Sequence, residues 1–207
     1  RHHMQAVSRN RWVLGGVTLA ISAMLFAAAP YFQQVAHIGY VTVIADVLLV
    51  IAFILFVRDA GERGAMLRDR TLAWTSVVLL IVAIVGRAVT NQIGAIESMA
   101  TAPNFAATTA ATYLFHAAGL IALGTFAWAV SRSVHVHRTY RLIIVITVTA
   151  IIAAHVVMQV MMATPVLATP LGLSLFGVLS AVTWALQAFG MLAIALAAIP
   201  AVHHDDS

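Results

Sequence analysis

The chain has 207 residues, 62% of them hydrophobic and 9% charged, with a formal net charge of +4. A soluble domain carries about a quarter charged residues, so this composition excludes a water-facing globular surface, and so small a net charge gives no argument for nucleic acid as a partner. Cysteine is absent and all eleven basic residues are arginines, which excludes thiolate nucleophiles, disulfide relays and iron–sulfur clusters and, without lysine, any Schiff base.

In chain order, six apolar runs are predicted as membrane-spanning helices, at 12–32, 38–57, 71–93, 107–130, 142–162 and 171–199. Each is long enough, at about 1.5 Å per residue, to cross a hydrocarbon layer of about 30 Å. Their β-branched content does not argue for strands, because an open sheet edge cannot satisfy its backbone in lipid. The expected fold is therefore all-α: a polytopic six-helix bundle forming one membrane domain over residues 1–207. Arg1 to Met4 read as an added leader with Met4 as the natural start, so His2 and His3 are set aside.

The arginines orient the spans. Arg9 and Arg11 precede span one, Arg58, Arg63, Arg68 and Arg70 lie between spans two and three, and Arg132, Arg138 and Arg141 lie around the connection between four and five. The alternate connections, 33–37, 94–106 and 163–170, contain none. Both termini are therefore expected on the cytoplasmic side. The all-arginine basic complement fits a GC-rich bacterial genome, hence a bacterial inner membrane. The connection 58–70 reads as a solvated turn on anionic headgroups. The 94–106 connection, with Glu97 and Pro103, is expected to include a short interfacial helix, while Pro30, Pro165 and Pro170 fall at span ends, where proline does little harm.

Spans two and three can be laid over spans four and five with Arg87 on His155, Asn91 on Gln159 and Asp46 opposite His116, a repeat of two-helix hairpins. An ionisable side chain at the centre of a span costs roughly 2.5–3.5 kcal/mol, and four stand well inside: Asp46, Arg87, His116 and His155. All are expected about 10–13 Å below the arginine-free boundary. Each has a polar companion four residues away, on the same helix face: Thr42/Asp46, Arg87/Asn91, Thr112/His116 and His155/Gln159. Span six adds Thr183/Gln187, with Ser180 and Trp184 on a neighbouring arc, and span one adds Thr18/Ser22.

These stripes predict a polar chamber in the outer half of the bundle. The plainest alternative is structural: Asp46 and Arg87 neutralise one another, with Asn91 or Thr42 supplying the hydrogen bonds a buried pair needs, and threonines serve helix packing. The leading functional expectation is a transporter or channel for a small solute, ion or proton, with no cofactor. The alternatives are a redox protein in which His116 and His155 ligate haem b or a transition metal, with Met158, Met161 and Met162 as a soft patch nearby, and a non-catalytic subunit of a membrane complex or homo-oligomer. Membrane lipid is the expected surrounding partner. His37 is expected at the interface, His135 and His137 at headgroups, and His203 to Asp206 in a solvated tail. Metal-protease and paired-aspartate signatures are absent, so an enzyme is the weaker reading.

Overall fold

A computed structural model of the chain describes residues 2–37, 39–62, 67–133 and 136–203, with side chains described from 10 to 197. Arg63, His135 and the His204–Asp206 run lie outside the described residues, as do the side chains of Arg9 and His203. The described chain is helical throughout: α1 (His2–Val35), α2 (Val41–Val57), α3 (Arg70–Glu97), α4 (Ala106–Ser131), α5 (Arg138–Ala163), a single 3₁₀ turn (Pro165–Ala168) and α6 (Pro170–His203). Five helices are long and apolar enough to cross a membrane, and α2, at 17 residues, is a shorter apolar helix.

Local chemistry explains where the helices start. The Asp69 carboxylate accepts from the Leu72 N–H at 2.9 Å and so caps α3. The Thr169 hydroxyl accepts from Gly172 N–H at 3.1 Å, with Pro170 at the first helical position, where its missing N–H is harmless. These caps place both starts within one residue of the apolar runs. The helix α3 extends to Glu97, and the following connection is nonhelical over Ser98–Phe105, so the interfacial helix expected there is not formed. The short helix lies instead in the last connection. Its Pro165 and the Pro170 of α6 do sit at element starts, whereas Pro30 falls inside α1. The start of α2 is later than hydropathy indicates: His37 takes a positive φ of 54°, a sparsely populated conformation for a non-glycine residue, and the helix begins at Val41.

Consecutive helices pack side by side, and α6 closes on α1, so the six form a ring. The seams are unequal. The most extensive is α3–α4, followed by α1–α2, α1–α6 and α5–α6; the α4–α5 and α2–α3 seams are slight. The ring thus divides into two bodies, the pair α3–α4 and the group α5–α6–α1–α2. The pair is tight because Gly86 lets α4 approach: a Cβ there would stand 2.2 Å from Cδ1 of Phe115. The larger body is stitched at two of its seams, by Ser22 Oγ donating to the Ala45 carbonyl at 2.7 Å and Trp184 Nε1 to the Phe26 carbonyl at 2.6 Å; at the third, Thr183, whose hydroxyl proton goes to the Leu179 carbonyl of its own helix at 2.7 Å, rests 3.5 Å from the Met158 sulfur.

Along its axis the bundle has two unlike halves. Towards the arginine-bearing end the ring is filled by aromatics. Phe53 and Phe126 stack at 3.8 Å between centroids, Phe56 meets Phe126 edge-on at 5.4 Å, and Trp12 meets Phe56 at 4.8 Å. An ion pair between Arg11 of α1 and Asp59 of the α2–α3 connection lies beyond them. Towards the arginine-free end the ring is hollow.

Candidate functional site

The hollow half contains two joined cavities. The inner one is a pit of about 50 Å³ lined by Asp46, Arg87, His116, His155 and Gln187, with Phe53 among the apolar residues beneath them; it has room for a few waters. The outer is a chamber of about 390 Å³. Arg87, His116, His155 and Gln187 line both. The four ionisable groups singled out in the sequence therefore converge, contributed by α2, α3, α4 and α5 in turn. Counted from the nearest helix ends, they lie about 8–15 Å deep at 1.5 Å per residue, a wider spread than the apolar runs indicate, because α2 starts late and α3 ends late.

They meet in two pairs, each across a slight seam. Arg87 of α3 faces Asp46 of α2 with Nη2–Oδ1 at 3.8 Å, close enough for charge attraction and too long for a hydrogen bond. Asp46 Oδ1 is buried without a hydrogen-bond partner. The companions expected to satisfy the pair do not do so: Asn91 is exposed on α3 and lines neither cavity, and Thr42 lies in the chamber wall above. Arg87 donates from Nε to the Ala83 carbonyl of its own helix at 3.3 Å. Across the second seam, the rings of His116 on α4 and His155 on α5 are 4.5 Å apart between centroids, tilted by 44°. His155 is buried, and its Nδ1 lies 2.9 Å from the Ile151 carbonyl oxygen. A carbonyl can only accept, so Nδ1 carries the proton and the neutral ring keeps its lone pair on Nε2.

Imidazoles in direct contact leave no gap for a macrocycle between them, so the geometry does not fit a haem held by His116 and His155. No group of three or more histidine or acidic side chains placed to hold a metal occurs among the described residues. Among the remaining expected residues, Thr112, Gln159, Thr183 and Gln187 all line the chamber, as does Met158. Thr112 spends its hydroxyl proton on the Thr108 carbonyl at 2.8 Å. Thr18 and Ser22 of span one do not reach the cavities; Thr18 bonds back to Leu14 at 2.8 Å and Ser22 bonds across to α2.

Three residues lining the outer chamber were not anticipated: Thr109, Tyr113 and Phe26. The first two had a legible signal. Thr109, Thr112, Tyr113 and His116 fall at i, i+3, i+4 and i+7, one face of α4. The same spacing recurs on α6 as Ser180, Thr183, Trp184 and Gln187, and in both stripes a hydroxyl, a threonine, an aromatic ring and a nitrogen-bearing side chain follow in that order. Phe26 carried no such mark, being one apolar residue among many. No protein-family model matches the chain, and no curated protein or solved structure matches it either. The site defines a class, an all-helical bundle with a polar chamber between two bodies, and its chemistry is read from its own residues.

Proposed function

We propose that this chain is a membrane carrier or channel for a small solute, ion or proton, with the Asp46, Arg87, His116 and His155 layer as its binding and coupling site. All six helices span a bacterial inner membrane in this reading, with the termini and arginine-rich connections cytoplasmic. The observation that supports it most is the convergence of four costly side chains from four helices on one chamber between two packed bodies. Ionisable residues within spans mark ion or substrate pathways, and carriers commonly place their site near mid-membrane between bundles that rock against one another. Here the seams that must slide are the two spanned by Asp46–Arg87 and His116–His155, and the gate that must part is the Phe53–Phe126 stack joining the bodies at the basic end. Asp46 serves as the proton- or cation-accepting group, Arg87 holds or balances negative charge, and the histidines pass protons or hydrogen-bond the solute.

The test is flux into vesicles reconstituted with the purified chain, using a labelled panel of small carboxylates, amines, neutral sugars and inorganic ions, with protons followed by an entrapped pH-reporting dye. Flux of at least one class above that of empty vesicles is expected, and Asp46→Asn should abolish it while the protein keeps its monodisperse elution. No flux across the whole panel would overturn the reading.

A further inference from the structure

We propose that the outer chamber selects a small organic anion, a carboxylate on an apolar body, with Arg87 as the residue that binds the charge; the inference rests on the chamber being a ligand site, as read above. Its charge is one-sided. Among the residues lining the outer chamber, Arg87 alone carries a formal charge, and no acidic side chain stands there. Asp46 lines the pit beneath and not the chamber. A cation entering from the open end meets the guanidinium before any carboxylate, whereas an anion meets an attractive charge first.

Arg87 also has donors to spare. Its side chain is 38% exposed, its Nε is committed to Ala83, and the Asp46 oxygen lies beyond hydrogen-bond reach of Nη2. Among the described residues neither Nη group donates a hydrogen bond. Two parallel N–H groups in a rigid fork match a carboxylate bidentately, which a point charge cannot do. The polar lining of the chamber comes from α4, as Thr109, Thr112 and Tyr113, and from α6, as Ser180, Thr183 and Gln187. An apolar, polarisable patch formed by Phe26, Met158, Met162 and Trp184 interrupts that lining. Phe26 and Trp184 meet edge-on with centroids 5.5 Å apart, and the patch suits the hydrocarbon part of an amphiphilic anion. A volume of about 390 Å³ falls in the range of small-molecule sites, about 300–1,000 Å³.

The test compares benzoate with benzamide, which share ring and shape and differ in charge, by calorimetric titration into the full chain in detergent. Benzoate is expected to bind about tenfold or more tightly than benzamide, the range of one charge-assisted contact. Arg87→Lys should fall between wild type and Arg87→Gln, and Arg87→Gln should bring benzoate down to the amide level. Because the single variant leaves Asp46 without its counter-ion, the pair Asp46→Asn with Arg87→Gln keeps the pit neutral and serves as the folded control. Equal binding of benzoate and benzamide by wild type, or a preference that survives in the double variant, would overturn the proposal. Stoichiometric displacement of benzoate by phosphatidylglycerol would assign Arg87 to a lipid headgroup and equally overturn it. Binding is read here without flux, so a chamber that prefers benzoate in a protein that moves nothing separates this inference from the carrier reading.

Discussion

The two halves of the bundle solve the problem of a membrane interior in opposite ways. The basic-end half is filled, with Trp12, Phe53, Phe56 and Phe126 buried in edge and face contacts and with its charges at the boundary, as in Arg11–Asp59. The other half is open and keeps its charges inside, one of them on an oxygen with no hydrogen-bond partner. The lesson is that the same ring of helices stores its stability at one end and its chemistry at the other. A buried carboxylate oxygen that lacks a hydrogen bond is unfavourable by about 1–3 kcal/mol, a cost the hollow half carries while the filled half holds the helices together.

This division can be broken by substitution. Phe126 touches both Phe53 and Phe56, so Phe126→Ala should cost about 3–5 kcal/mol of stability, seen as a lower unfolding midpoint in mixed detergent, and should open a leak in reconstituted vesicles. A loss below about 0.5 kcal/mol, within the range of an ordinary surface change, would mean the stack is not the keystone of that half. Gly86→Ala places a methyl into the Phe115 ring and should cost about 1–3 kcal/mol by overpacking. Pairing it with Phe115→Ala should recover part of that loss, a coupling that a double-mutant cycle reads directly. Ser22→Ala removes one hydrogen bond between α1 and α2 and should cost about 0.6 kcal/mol, the average for such bonds within membranes. Met162→Ala, in the exposed chamber wall, should stay within about 0.5 kcal/mol. A Met162→Ala loss as large as that of Phe126→Ala would erase the distinction between the halves.

Much of this was legible in the sequence, and the reasons for the rest are physical. Hydropathy found the apolar body of every helix, since each run is apolar over most of a bilayer's thickness. The capped starts of α3 and α6 fall within one residue of the apolar runs, whereas α2 begins late, after the positive-φ His37, and α3 runs on to Glu97, because apolarity and helicity need not end together. Asp46, Arg87, His116 and His155 were visible because lone ionisable residues stand out against an apolar background, and all four line one pit. Their companions were harder. The i+4 rule put Asn91 beside Arg87, yet the helix turns Asn91 outward and buries Thr90 instead, its hydroxyl on the Gly86 carbonyl at 2.7 Å. Periodicity says which residues share a face and leaves open which face the neighbours cover. The unequal seams were not legible at all, because they depend on how closely whole helices approach.

One bond inside the chamber reaches further than its size. The tie from His155 Nδ1 to the Ile151 carbonyl commits one side of that ring to its own helix, so while neutral it can present only a lone pair to the cavity. Arg87, across the pit, presents only N–H groups. The chamber, which Asp46 does not line, therefore has a donor on α3 and an acceptor on α5. A molecule with an acidic end and a hydrogen-bond donor end would match both groups in one orientation and neither in the reverse.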